Sequence, residues 1–213
     1  MSVLPPIEQK AAYVERMFAR IAPGYDRMNR VMTMGMDRGW RDYAVNLIAP
    51  PATGRALDVG TGTGDFLPNL AAWMPEGFAV GLDFTVPMMQ AGLPKLDLAE
   101  GRAGFVGGDA LSLPFTDSSF DAITTGVTRR NVVDIGQAFR GMARVARPGC
   151  VLACLEVARP RNPLLRLGHR GREGLFDQHV LASRQRGACH RHMARQRRRH
   201  QHGLGVGGGQ RGA

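Results

Sequence analysis

Between Ala56 and Asp65 the chain reads Ala-Leu-Asp-Val-Gly-Thr-Gly-Thr-Gly-Asp, an apolar run of strand length that enters three alternate glycines and then a helical pattern. Glycine has no Cβ, so such a loop turns sharply and brings backbone N–H groups close to a ligand. The spacing is GxGxG, not GxGxxG, which points away from a dinucleotide seated on its pyrophosphate. The ligand need not carry phosphate. Asp83 ends the next apolar run, Ala79-Val80-Gly81-Leu82, 19 residues beyond Gly64. A carboxylate there can accept both ribose hydroxyl protons of a nucleoside laid across a sheet edge. Gly107-Gly108-Asp109-Ala110 ends a third run, and its carboxylate can meet an adenine amino group or serve an ordinary Asx turn.

The elements that must hold these residues follow from periodicity. Apolar side chains at Ala11, Val14, Met17, Phe18 and Ile21 have helical spacing and stop at Pro23-Gly24. Asp37 to Ile48 is a second amphipathic segment, ended by Pro50-Pro51. Strands and helices then alternate. Strands are expected at 56–59, 78–82, 104–106, 120–125 and 151–157, and helices at 65–74, 86–95 and 134–145. Such alternation implies a doubly wound, mostly parallel α/β sheet, with its ligand at the carboxyl ends of the strands where the winding reverses.

Composition restricts the partners. The 213 residues carry a net charge of +10, which by itself suggests nucleic acid. Residues 1–165, however, hold 17 Lys and Arg against 16 Asp and Glu, while residues 166–213 hold 11 against 2, with all six histidines and no lysine. The excess charge therefore belongs to the tail, and no nucleic-acid partner is expected. No apolar run reaches the length of a membrane span, and Glu8 and Lys10 stand where an export signal would be apolar. Cys150, Cys154 and Cys189 form no CxxC pair, which fits free thiols in a reducing, cytoplasmic compartment. Cys189-His190-Arg191-His192 has metal-ligating types but no elements to orient them, so no metal site is expected.

The glycine loop, Asp83 and Asp109-Ala110 resemble the cofactor site of Rossmann-like class I methyltransferases. Met17-Phe18-Ala19-Arg20-Ile21-Ala22-Pro23-Gly24-Tyr25-Asp26-Arg27-Met28-Asn29, Gly35-Met36-Asp37-Arg38-Gly39-Trp40, Arg130-Asn131-Val132, Leu155-Glu156 and Arg159-Pro160-Arg161-Asn162-Pro163 narrow the resemblance over residues 10–165. They are similar to the demethylmenaquinone and polyprenyl-benzoquinol C-methyltransferases of menaquinone and ubiquinone biosynthesis. The resemblance implies S-adenosylmethionine as cofactor, contacted by Thr63, Asp83, Asp109 and Ala110, with Asp58, Gly60, Gly62 and Gly64 completing the loop. It places Tyr25, Arg130 and Asn131 near a prenylated quinol as candidate catalytic residues. In the reaction implied, a ring carbon attacks the sulfonium methyl, and Arg130 can stabilise the ring oxyanion that makes the carbon nucleophilic. Arg130 can equally be a salt-bridge residue, and Tyr25 a packing aromatic. Met28, Met32, Met34 and Met36 suit either a soft wall for a prenyl chain or the packing of a lid. A lipid substrate would also bring the protein to the inner membrane surface. The sequence does not give the oligomeric state. Methylation of another small molecule, or a cofactor-binding remnant without activity, stays open beside the quinol reading.

Three regions are expected: a helical cap or lid over 1–50, an S-adenosylmethionine-binding α/β domain over 51–165, and a basic low-complexity tail over 166–213. The family resemblance stops at the tail, where Arg, Gly, His and Gln follow without period, as in a disordered or frame-shifted stretch. The sheet is then expected to end at its fifth strand, without the family's closing antiparallel hairpin.

Overall fold

The computed structural model describes residues 7–126, 132–158, 177–186, 188–189 and 192–194, with side chains over 10–126 and 132–155. Three helices come first: α1 (Ile7–Ile21), α2 (Tyr25–Met32) and α3 (Met36–Ile48). Pro23-Gly24 stops α1 through a 3-10 turn at Ala22–Gly24. The periodicity gave α1 and α3 but not α2, which has only eight residues and no buried side chain among them. It is closed instead by main-chain bonds, the Thr33 and Gly35 N–H groups donating to the carbonyls of Asn29 and Arg30 at 2.9 Å each.

The expected alternation follows: β1 (Arg55–Val59), α4 (Leu67–Trp73), β2 (Phe78–Asp83), α5 (Val86–Asp97), β3 (Ala103–Gly107), β4 (Phe120–Gly126), α6 (Ile135–Val145) and β5 (Ala146–Ala158). These five strands are parallel in the order β3-β2-β1-β4-β5, so the winding reverses between β1 and β4. Period two along each strand divides the core into two layers. In register across β3, β2, β1 and β4, Ala103, Ala79, Ala56 and Ala122 form a row of small side chains on one face. That row leaves room for Ala44, Val45, Ile48, Leu67, Leu70 and Met74 of the helices α3 and α4 and their flanks. On the opposite face Leu57 and Ile123 pack with Ala138, Met142 and Val145 of α6.

Two elements depart from the sequence expectation. Strand β5 begins at Ala146, not Val151, running through Pro148-Gly149 with a register shift opposite Phe120 and Ala122. The reading of residues 166–213 as structureless is corrected over part of that stretch. β6 (Asp177–Arg186) pairs antiparallel with β5 from Val151↔Arg184 to Ala158↔Asp177, and β7 (Ala188–Cys189) and β8 (His192–Ala194) pair with β6. Antiparallel pairing on an open edge is main chain to main chain, so it needs no apolar period that a sequence would display.

Candidate active site

The glycine loop lies where β1 ends. Gly60, Gly62 and Gly64 all adopt left-handed backbone, φ 71°, 57° and 77°, which residues with a Cβ rarely accept. The N–H groups of Gly60 and Thr61 donate to the Leu82 carbonyl at 2.8 and 3.0 Å, binding the loop to β2. Gly62 N–H donates to Asp83 Oδ2 and Thr85 N–H to Asp83 Oδ1, both at 2.8 Å. A backbone donor thus fixes each carboxylate oxygen, and the Thr85 hydroxyl and the Phe84 N–H also favour the charged form. Burial pushes the Asp83 carboxyl above its ordinary range, partly offset by those backbone bonds.

Asp58 sits beneath the loop, 1% exposed, in register between Gly81 and Thr124, and it accepts the Thr124 hydroxyl at 2.8 Å. Burial pushes its carboxyl up to about 7, and the Asp83 and Asp65 carboxylates act in the same direction. Asp109 makes the Asx turn that the sequence left open, its Oδ1 accepting Leu111 N–H at 2.9 Å, and it also borders the cleft.

That cleft, with a volume of about 180 Å³, has Gly60, Gly62 and Asp83 along one side and Gly108, Asp109 and Ala110 along another. Ala11 and Phe18 of α1 and Tyr25 of α2 border it from the cap. The Tyr25 ring meets Phe18 edge-on, centroids 6.0 Å apart at 69°. Burial first, and then the Asp65, Asp83 and Asp26 carboxylates, raise the Tyr25 pKa. Tyr25 therefore presents a neutral phenol near pH 7, able to donate or accept a hydrogen bond but not to act as a phenolate base. Phe18, Met88 and Leu111 were not singled out as site residues, although all three line the cleft. Phe18 is signalled by the apolar stripe of α1 and by the run from Met17 to Asn29, the other two only by their position beyond Asp83 and Asp109.

Thr63 is placed differently from the cleft lining. Its hydroxyl donates to Asp26 Oδ1 at 2.6 Å and accepts from Lys95 Nζ at 2.7 Å. Lys95 also pairs with Asp26 at 2.7 Å and with Asp65, and Arg41 joins Asp65 to Asp37. This chain of charges ties α2 and α3 to the glycine loop and α5. α5 can approach because Gly92 faces the Thr63 carbonyl, which an added Cβ would meet at 2.2 Å. Gly64 lies under the Phe105 ring. Arg130 and Asn131 lie outside the described residues; Val132 and Val133, which follow them, border the cleft. Lys10 Nζ donates to the Val132 carbonyl at 3.3 Å, linking α1 to that segment.

Among the described residues the lining carries two carboxylates, Asp83 and Asp109, and no lysine or arginine. Such a cleft suits a neutral or cationic nucleoside and disfavours a pyrophosphate. The Asp83 carboxylate, held on the glycine loop, fits a ribose, and Met88, Ala110 and Leu111 offer apolar contact to a base. Cys150 and Cys154 are buried, and the Cys150 thiol is pushed up to about 12 by burial and then by Asp121, so Cys150 is not a nucleophile at neutral pH.

A parallel sheet that reverses at β1/β4, with a left-handed GxGxG loop followed by an acid at the end of β2, defines the Rossmann-like class I methyltransferase fold. A crystal structure of a SAM-dependent methyltransferase from Aquifex aeolicus shares that fold, with a TM-score of 0.53 at 20% identity over 65% of this chain and 77% of that one. Residues 7–179 match the ubiE/COQ5 methyltransferase family, and the chain belongs to it. It is 70% identical over 168 residues to the demethylmenaquinone methyltransferase of Roseiflexus castenholzii, covering 79% of this chain and 70% of that protein. It is 39% identical over 163 residues to the ubiquinone/menaquinone biosynthesis C-methyltransferase UbiE of Geotalea daltonii, covering 75% of this chain and 69% of that one. No helix among the described residues is long and apolar enough to cross a membrane.

Proposed function

We propose that this methyltransferase transfers a methyl group from S-adenosylmethionine to a ring carbon of a prenylated quinol, demethylmenaquinol or a related benzoquinol, at the surface of a membrane that holds the quinol. The observation that carries the reading is the cleft itself, which has Asp83 held on the glycine loop, no cation among its described lining residues, and aromatic cover from Phe18 and Tyr25. The names of the relatives from Roseiflexus castenholzii and Geotalea daltonii support the quinone as acceptor.

S-adenosylmethionine, when bound, supplies a methyl group already activated as a sulfonium. The protein then has to align two centres and exclude water. Asp83, held by Gly62 and Thr85, accepts the ribose hydroxyls. Asp109 offers the oxygen not used by Leu111 to an exocyclic amine. Asp58, beneath the loop, holds β1 to β4 through Thr124. Tyr25 orients a ring hydroxyl through its neutral phenol, while Arg130 is the candidate to stabilise the oxyanion formed when that hydroxyl loses its proton.

The test is incubation of the full chain with methyl-labelled S-adenosylmethionine and a reduced short-chain demethylmenaquinol. Label in a ring methyl, with stoichiometric S-adenosylhomocysteine, is expected. Tyr25→Phe should lower turnover more than cofactor affinity. Cofactor binding without transfer to either quinol class would remove the reading and leave a cofactor-binding remnant.

A further inference from the structure

The cap has a second face, turned away from the cleft. On α1, Tyr13, Arg16, Met17 and Arg20 follow one another at i, i+3, i+4 and i+7, which aligns them along one stripe. Val14 and Phe18 lie on the opposite, covered side. α2 and the turn after it repeat the pattern with Arg27, Arg30, Val31 and Met34. All eight side chains are exposed, Val31 by 73% and Met34 by 67%. Met34 is held outward by left-handed backbone, φ 51°, a conformation that a residue with a long side chain adopts only under local constraint. Among the described residues none of these four arginines has a carboxylate at ion-pair distance. Of the acids on the two helices whose side chains are described, Asp26 is held by Lys95 and Thr63, and Glu15 lies off the α1 stripe.

Apolar side chains interleaved with unpaired arginines on a helix surface are the chemistry of a lipid–water interface. The apolar groups enter the acyl boundary while the guanidinium groups reach lipid phosphates. We propose that the outer stripes of α1 and α2 dock the protein on an anionic phospholipid bilayer, with Met34 and Val31 entering it and Arg27 and Arg30 on the headgroups. The opposite sides of the same helices supply Ala11, Phe18 and Tyr25 to the cleft. A prenylated quinol leaving the bilayer would then pass from one side of the cap to the other, a step that rests on the function proposed above.

The experiment uses the full chain and sedimentation with vesicles of phosphatidylcholine alone or mixed with phosphatidylglycerol at low salt. The parent is expected to bind the anionic vesicles and not the neutral ones. Arg27→Gln/Arg30→Gln should lower the partition by about 25-fold, about fivefold per arginine removed. Val31→Gln/Met34→Gln should lower it several-fold at unchanged charge. Affinity for S-adenosylhomocysteine reports that each variant is folded. Turnover of the Arg27→Gln/Arg30→Gln variant on a water-soluble short-chain quinol should be unchanged, and turnover of both variants on vesicle-embedded quinol should fall with binding. The basic residues beyond 166 are intact in every variant, so parent-like binding by both variants assigns attachment to another part of the chain and overturns the proposal, as does a parent that binds both vesicles equally or neither. If the parent methylates no quinol yet the variants lose vesicle binding, the quinol reading falls and the docking surface stands.

Discussion

Asp83→Asn tests the cofactor site with little change of shape. The amide replaces one accepting oxygen by a donor, yet the Gly62 and Thr85 N–H groups are both aimed at this side chain from 2.8 Å. One of those donors must then face the NH2 group, and a buried donor left unpaired costs about 1–3 kcal/mol. On the ligand side, hydrogen bonds from ribose hydroxyls lose their charged acceptor, a difference of about 1.5–3 kcal/mol. The ligand-side loss should weaken S-adenosylmethionine and S-adenosylhomocysteine by about 1.5–3 kcal/mol, about 10- to 150-fold in Kd, while the unpaired donor weakens the fold itself. Titration calorimetry measures both ligands, and urea unfolding should show a stability loss of about 1–3 kcal/mol. A pH series adds a second readout. The folded Asp83 carboxyl lies above its ordinary range, so the parent should lose affinity on acidification at a higher pH than an ordinary aspartate would impose, and the variant should lack that step. Affinity within about threefold of the parent, or the same pH profile in both proteins, would refute the assignment of Asp83 to the ribose.

Asp58, pushed up to about 7, keeps a proton that the unfolded chain releases near 3.8; its contribution is therefore full below about pH 4 and is lost as pH rises through about 7. Asp58→Asn should flatten that window and gain roughly 1–4 kcal/mol at pH 8, as urea unfolding at pH 5 and pH 8 would show. Gly92→Ala places a Cβ 2.2 Å from the Thr63 carbonyl, so a loss of about 1–3 kcal/mol or more and a weaker cofactor site are expected in thermal unfolding and calorimetry; a neutral substitution would mean that α5 does not press on the loop. Lys95→Met leaves Asp26 and Asp65 without their shared cation, and unfolding should show a loss of about 1–2 kcal/mol, discounted for the solvent that reaches Asp26, with a raised KM for quinol and a smaller change in kcat.

The parts of this protein legible in the sequence are those whose cause is local. The glycines between Val59 and Asp65 need left-handed backbone wherever the fold puts them, and Asp83 is readable because it ends an apolar run. Helix α2 was not readable, because its eight residues bury nothing and are closed by the main chain of Thr33 and Gly35. The antiparallel edge was not readable either: β6 answers unpaired groups on β5, and its own side chains need not alternate. The charge chain through Asp26, Thr63, Asp65 and Lys95 joins residues 30 to 69 positions apart, a proximity that exists only after the sheet has formed. The resemblance implies a cofactor contact for Thr63, and its hydroxyl bonds to Asp26 and Lys95, partners that no local pattern announces.

That same charge chain bears on how far the first fifty residues can be exchanged as a cassette. Asp37 finds its partners, Thr33 and Arg41, inside the cap, but Asp26 is held by Thr63 on the loop and Lys95 on α5, and Arg41 reaches across to Asp65. A chimera that grafts another cap onto this α/β body would leave Asp65 without Arg41 and Lys95 without Asp26. It should fold well only if the new cap brings partners for Asp65 and Lys95, or those two residues are exchanged with it, so cap and socket form one exchangeable unit.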